Sequence, residues 1–457
     1  MNNTGDPIDC FGLNQLYIND ITKEKFKDIH QSIVENGFDD YSATGLSSFL
    51  AFRYPILRNT MFKNISRLDS GEIIKPDDTG SEIQTVWRPV FEVNPPGSFE
   101  SAKETTENLL IAAVKNLIHN KKRIGITLSG GLDSSLILAI VKKHFPDKEI
   151  YTYSCGFYGD DEFQYSRMVA DLFSDRHTEF VLSEDDFFGK ESLLPALIKQ
   201  KCAPLHPNEL GLAIAESKAR KDLCDIVLCG EGADDIFGGF GQILRMYLNY
   251  TGDSNRFSDF FFKEYLYFSV DEIEKILKPE YFVNPVTIGK EIFNEKQFPQ
   301  NIENFVFYFI QRVHTRGLIE RGINALRYNS FEQGFPFINP ELVNYVNALP
   351  FNYKIEWKEG MDENSVKGLN YRAISEEYDI PKYLLKKIAE NYLPEMIIYR
   401  KKKGFPVPFE KWLSNRSDYD FNKNLFKNFD MKDFSGLKKF MLINLNTFVT
   451  LFDKYKR

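Results

Sequence analysis

The chain has 457 residues, 43% of them hydrophobic and 27% charged, a globular balance that excludes disordered and fibrous proteins and leaves room for two or three domains. With 57 basic against 65 acidic residues the net charge is −8, so most of the surface repels a polyanion and nucleic acid is not an expected partner. The five cysteines, at positions 10, 155, 202, 224 and 229, form neither a disulfide framework nor a CxxC zinc pattern, and no signal peptide or membrane-length apolar run is present; the expectation is a cytoplasmic protein with no membrane partner.

Residues 1–97 carry short apolar runs broken by turn formers, with strand-like stretches in the second half such as TVWRPVFEV. Pro95, Pro96 and Gly97 stop any regular element, so a boundary is expected there, between a short β-rich unit over 1–97 and a larger one over 98–457. Leu109, Ala112, Ala113 and Leu117 recur at helical spacing in a helix predicted from Phe99 to His119. From Arg123 strand and helix alternate. IGITL, EIYTYSCGF, TEFVL and DIVLCG read as strands, and SLILAIVKKHF, QYSRMVADLF and ELGLAIAESKAR as the helices between them. The alternation predicts an α/β fold, a parallel sheet with helices on both faces that binds ligands beyond the carboxyl ends of its strands. After about residue 240 the pattern is helical to the end. The 41 phenylalanines predict a core rich in aromatic packing.

Three stretches carry chemistry. The first, Leu128-Ser129-Gly130-Gly131-Leu132-Asp133-Ser134-Ser135, follows a strand and opens a helix. Its glycines permit close backbone approach, Ser134 and Ser135 can cap the helix, and free N–H groups at a helix start bind anions. It lacks the lysine of a Walker A loop. Asp133 beside a phosphate site implies a divalent cation between the two. The second, Gly230-Glu231-Gly232-Ala233-Asp234-Asp235-Ile236-Phe237-Gly238-Gly239, ends the fourth strand at the same sheet edge, so Asp234 is placed to share a metal with Asp133, and Glu231 stands exposed between glycines. In the third, Arg400-Lys401-Lys402-Lys403-Gly404-Phe405-Pro406-Val407-Pro408-Phe409, a basic run enters a stiff aromatic segment, so one of its lysines is expected to be held rather than solvated.

Together these motifs resemble the synthetase half of the asparagine synthetase B family and its relatives, the β-lactam synthetases and lasso-peptide cyclases. SGGLDSS resembles the family's PP-loop, the pyrophosphate-binding loop of ATP pyrophosphatases of the adenine nucleotide alpha hydrolase type. GEGADDIFGG resembles its GEGADELFGG loop, and Arg400 to Pro408 its R-x-K-x-G-F-x-V-P segment. Weaker matches lie at Asp161-Glu162, His177 to Phe180, Pro336-Phe337-Ile338 and Leu393-Pro394-Glu395. Residues 45–80 resemble the closing strands of the family's glutaminase domain, so residues 1–97 are expected to be its truncated remnant. Two departures stand out. Asn2 occupies the place of the glutaminase's nucleophilic cysteine, and Cys10 would serve only if cleavage freed it, so glutamine hydrolysis by this chain is not expected. Gly334 and Asn339 replace the arginine and aspartate of E-x-R-x-P-F-L-D, which argues against aspartate as the substrate.

The resemblance implies ATP and Mg²⁺ as cofactors. Nucleotide contacts fall on Leu128, Ser129, Gly130, Gly131, Asp133, Ser134, Ser135, Gly156, Phe157 and Gly230, and the metal on Asp133 and Asp234. A small-molecule or peptide carboxylate attacks the α-phosphorus, releasing pyrophosphate, and ammonia or an amine then takes the acyl group, releasing AMP. Lys402 supplies the positioned cation and Glu231 the base. The nitrogen comes free or from a separate amidotransferase or pathway partner. Alternatives are a lactam or macrolactam cyclase, a tRNA-modifying PP-loop enzyme and a non-catalytic binding relic.

Overall fold

The computed structural model describes residues 9–457 apart from 76–81, 92–96, 160, 253–255, 300, 333, 402–403, 405–406 and 415–418. Strands β1 (Tyr17–Asn19), β2 (Lys25–Phe26) and β3 (Ile65–Arg67) form one antiparallel sheet, and β4 (Glu72–Lys75) with β5 (Glu82–Thr85) a second. Helices α1 (Ile29–Asn36) and α2 (Ala43–Phe52) lie between β2 and β3, each with an N-cap side chain, Asp28 and Ser42. α2 is buried from Gly45 to Phe52. Gly45 lets it close in, since a Cβ there would stand 2.0 Å from the Thr60 carbonyl oxygen.

These elements share their core with the far end of the chain. Phe49, Phe52 and Phe62 belong to one hydrophobic cluster with Phe262, Phe309, Phe448 and Phe452. Tyr41 donates to the Val449 carbonyl at 3.0 Å and to Asp453 at 2.8 Å. A buried ionic network adds a second attachment. Asp69 accepts from Arg312 at 2.6 Å and Arg316 at 2.9 Å, and Arg67 pairs with Glu320. Burial alone would raise the Asp69 carboxyl, but the arginines hold it well below the usual carboxylate range. Pro95 and Pro96, read as the boundary, lie outside the described residues.

After α3 (Phe99–Ile118) come β6 (Arg123–Thr127), α4 (Leu132–His144), β7 (Glu149–Phe157), α5 (Phe163–Phe173), β8 (Arg176–Leu182), α6 (Glu184–Phe188), α7 (Leu194–Lys201), α8 (Glu209–Lys221), β9 (Ile226–Leu228) and α9 (Ala233–Phe237). The sheet is parallel, in the order β8–β7–β6–β9. It is the α/β fold expected from the alternation. α4 and α5 pack beside each other on β6, β7 and β8, while α8, on the return from β8 to β9, packs on β6 and β7. With helices against it the sheet's centre is apolar, as at Ile124, Ile126, Val227 and Leu228. Strand order reverses between β6 and β9, which opens a crevice at their carboxyl ends, the usual ligand position in such sheets.

The rest is mainly helical, with one departure from the sequence reading. Strands β10 (Ile355–Trp357) and β11 (Asp379–Pro381) form an antiparallel ribbon, and three residues are too few to show periodicity. The ribbon is braced by Arg245, which pairs with Asp379 at 3.0 Å and lies 3.8 Å over the Trp357 ring. Among the described residues no helix is long and apolar enough to cross a membrane.

Candidate active site

The first loop joins β6 to α4 at the crevice. Gly130 has φ +70°, and a Cβ there would stand 2.5 Å from Ser166 N, so only glycine fits. α4 begins at Leu132 with Gly131 as N-cap and no capping side chain. The expected capping by Ser134 and Ser135 is therefore corrected. Ser134 sits inside the first turn and turns its hydroxyl back to accept from the Ser129 N–H at 3.2 Å, while the Ser135 hydroxyl is buried without a partner among the described residues. The first amides of this 13-residue helix thus receive no side-chain cap, an arrangement suited to an external anion.

The second loop joins β9 to α9, with Gly232 at φ +93° as N-cap. The loops touch, since a Cβ on Gly230 would stand 3.1 Å from the Asp133 Cβ. Asp133 and Asp234 converge, and Lys382 lies between them. Its Nζ is 2.7 and 2.6 Å from the two Asp133 oxygens and 2.6 Å from Asp234 Oδ1. Lys382 directly follows β11, in the left-handed region at φ +57°. Burial would lower its pKa, but the two carboxylates more than reverse that and raise it. One turn on, burial brings Lys386 down to about 8. Sequence reading put Mg²⁺ where an ammonium stands. The two hard carboxylates suit that ion, with phosphate or water oxygens completing the set, once Nζ withdraws from the point it holds here. Among the described residues no group of three or more His, Cys, Asp or Glu could hold a metal.

A cavity of about 670 Å³ opens above both loops. Of the residues read from sequence, Leu128, Ser129, Gly131, Asp133, Ser134, Gly156, Phe157, Gly230, Glu231 and Asp234 line it, whereas Gly130 and Ser135 do not. Lys402 lies outside the described residues. Around it, Arg400 and Gly404 line the cavity and Lys401 turns to the surface to pair with Glu377 at 2.6 Å. Arg400 pairs with Glu162 and lies 4.4 Å over the Tyr165 ring.

Glu231 is held rather than free. One terminal nitrogen of Arg321, from the helix Thr315–Tyr328, donates to both Glu231 oxygens at 2.7 and 2.8 Å. The same guanidinium donates to His206 Nδ1 at 3.1 Å, which requires a neutral imidazole. Burial first, then Arg53 and Arg321, push His206 well below the usual histidine value. The motif departures also have local causes. A Cβ on Gly334 would stand 1.9 Å from the Val227 carbonyl oxygen, so this backbone lies against β9. Asn339 caps the helix Pro340–Ala348, accepting from Glu341 and Leu342 N–H at 3.0 and 3.2 Å. Lys382, Arg321, His206 and Arg53 were all missed in the sequence. None of them stands in a motif, and only Lys382, next to Pro381 at a helix start, had a local signal.

Fold and crevice together define an α/β protein with a parallel sheet and its candidate site at the carboxyl ends of the strands. The chain belongs to the asparagine synthase family, whose model matches residues 105–457. It is 22% identical over 463 residues to asparagine synthetase [glutamine-hydrolyzing] 1 of Bacillus subtilis, covering 89% of this chain and 66% of that protein. It is 24% identical over 433 residues to a putative asparagine synthetase of Mycobacterium tuberculosis, covering 82% and 60%, and 22% identical over 318 residues to one of Methanocaldococcus jannaschii, covering 67% and 49%. The chain thus spans about half to two thirds of these relatives. Among solved structures it is similar to the U34-tRNA thiolase NcsA of Methanococcus maripaludis, at 12% identity and a TM-score of 0.24 over 51% of this chain and 79% of that one. It is also similar to NAD+ synthetase of Burkholderia pseudomallei, at 15% identity and a TM-score of 0.20 over 33% and 60%.

Proposed function

We propose that the chain is an ATP-dependent carbon–nitrogen ligase that activates a carboxylate as its acyl-adenylate and passes the acyl group to ammonia or an amine. The observation that carries this reading is that the uncapped start of α4, the Asp133–Asp234 pair and Lys382 face one cavity of about 670 Å³, within the range of small-molecule sites. The phosphates go to residues 129–135 and the adenine to the strand ends at Leu128, Gly156 and Phe157, with Gly230 alongside. Asp133 and Asp234 would hold Mg²⁺, which when bound neutralises phosphate charge.

A carboxylate oxygen attacks the α-phosphorus as the bond to the β-phosphate breaks and pyrophosphate leaves. Nitrogen then attacks the acyl carbon, AMP departs with the acyl C–O bond, and the nitrogen's proton passes to Glu231, whose oxygens Arg321 orients. Lys382 is the cation available to the leaving phosphates, and Lys402 is the second. The alternation of Arg400 and Gly404 into the cavity with Lys401 outward supports Lys402. Nitrogen is read as arriving as ammonia or an amine rather than from glutamine on this chain, because Cys10 is buried in the packed core, where burial and then Asp9 push its thiol up, and is not presented as a nucleophile. Residues 1–97 are read as the remnant of a glutaminase-like domain, and five free cysteines support a reducing, cytoplasmic setting.

Turnover of an acid labelled with ¹⁸O in its carboxylate tests the reading. One label should appear in AMP per amide formed. Label in inorganic phosphate, with ADP as the nucleotide product, would mean an acyl-phosphate and refute it.

A further inference from the structure

The ammonium of Lys382 and a divalent ion held by Asp133 and Asp234 require the same point. Nζ lies 2.7 and 2.6 Å from the two Asp133 oxygens and 2.6 Å from Asp234 Oδ1. An ammonium has three N–H donors, and three carboxylate oxygens take them, so none remains for a phosphate while the side chain holds this position. Two cations cannot share those oxygens, since magnesium requires them at about 2.0–2.1 Å. The position is built into both elements. Lys382 follows the β10–β11 ribbon at φ +57° and is only 5% exposed. Its stem crosses Gly239, where a Cβ would stand 2.3 Å from Lys382 Cε and 1.8 Å from Asp234 Oδ1. The second acidic loop thus leaves open the path that the lysine takes to its carboxylates.

Yielding that point has a cost that a bare ion does not repay. Among the described residues the ion pairs of Lys382 are those with Asp133 and Asp234, and Lys386, one turn on, lines the same cavity and adds positive charge. A buried ammonium pushed off both carboxylates is left without a counter-ion, which is expensive. A polyphosphate supplies one. Asp133 lies in the first turn of α4, whose start has no capping side chain, so an ammonium leaving it on a flexible four-carbon stem stays beside phosphates bound there.

Resting on the reading of this cavity as a nucleotide site, we propose that Lys382 is a displaceable stand-in for the metal: it holds the Asp133–Asp234 pair against a divalent ion and gives the pair up only when a polyphosphate arrives with the ion to receive its ammonium. Lys382 is thereby a positioning residue that couples metal binding to nucleotide binding, each raising the affinity for the other by the same factor.

The test uses Mn²⁺ as the probe, because it takes the same oxygen donors as Mg²⁺ and its free form is counted by electron paramagnetic resonance. Without nucleotide, Lys382→Met should bind Mn²⁺ about ten- to a hundredfold more tightly than wild type, the effect of removing hydrogen bonds between charged groups. Asp133→Asn in that background should erase the gain. Lys382→Gln keeps a hydrogen bond to the pair, should gain less, and serves if the methionine variant folds poorly. Lys386→Met removes a neighbouring charge without freeing the point, and should change Mn²⁺ affinity only a few-fold. With a non-hydrolysable ATP analogue present, wild type should approach Lys382→Met. Wild type that binds Mn²⁺ without nucleotide as tightly as Lys382→Met would overturn the proposal. An equal gain in Lys386→Met would also overturn it, since that is a general charge effect. Calorimetry with the analogue separates this from the underlying reading. An analogue that fails to bind refutes the nucleotide site, whereas one that binds while Mn²⁺ affinities stay equal in wild type and Lys382→Met refutes the role of Lys382 alone.

Discussion

Lys382 is the residue on which the two acidic loops depend. With Nζ within 2.7 Å of both Asp133 oxygens and 2.6 Å from Asp234, it neutralises carboxylates that otherwise repel each other and any phosphate. Lys382→Met should lower pyrophosphate release by about a hundred- to a thousandfold, as for one well-placed donor in a dry site. Lys382→Arg should recover little, because a planar fork does not replace a compact ammonium. Pyrophosphate release by the two variants, with circular dichroism as the folding control, checks both. His206 gives a pH signature. It is buried and kept neutral in the folded chain, below its ordinary value of 6.5. Beneath that value the unfolded chain takes a proton that the native one refuses, so the stabilisation is complete above it and is lost as pH falls. Each pH unit lower should cost about 1.4 kcal/mol. His144 and His177 are lowered as well, so the informative quantity is the difference in slope between wild type and His206→Gln in denaturant unfolding. Equal slopes would mean that His206 is not the group responsible.

At the scale of elements, glycines set how closely the loops approach. A Cβ on Gly130 would stand 2.5 Å from Ser166 N, and one on Gly334 1.9 Å from the Val227 carbonyl oxygen. Gly334→Ala should therefore destabilise by about 1–3 kcal/mol or more, as overpacking against backbone does, read as a lowered midpoint in urea. The arginine of the family pattern cannot be restored there by one substitution without moving β9. The sheet was legible because its strands are short apolar runs alternating with helical patterns, and EIYTYSCGF corresponds to β7, Glu149–Phe157. Both acidic loops were legible for the same reason, since each joins a strand end to a helix start. The β10–β11 ribbon was not, and Lys382 was hidden with it. Its position depends on the Arg245–Asp379 pair, 134 residues apart, which no local pattern encodes. Arg321 lies on a helix whose polar residues look solvent-facing until α8 and the N-terminal elements cover them.

Over the whole molecule, the N-terminal elements and the helical remainder are one packed body in this structure, joined by the phenylalanine cluster and the Asp69–Arg312–Arg316 network. Removing one partner of a buried pair leaves the others uncompensated, so Asp69→Ala should cost about 3–5 kcal/mol. The variant should still unfold in a single transition, measured by coincident far-ultraviolet and tryptophan signals. Two separated transitions would show that the N-terminal part folds independently. The central claim is that both loops and Lys382 serve acyl-adenylate formation. It is tested most directly by acid-dependent exchange of labelled pyrophosphate into ATP, without any nitrogen donor. The account predicts exchange that requires a carboxylate and Mg²⁺ and is lost in Lys382→Met. Exchange that proceeds without an acid, or survives unchanged in that variant, would contradict it.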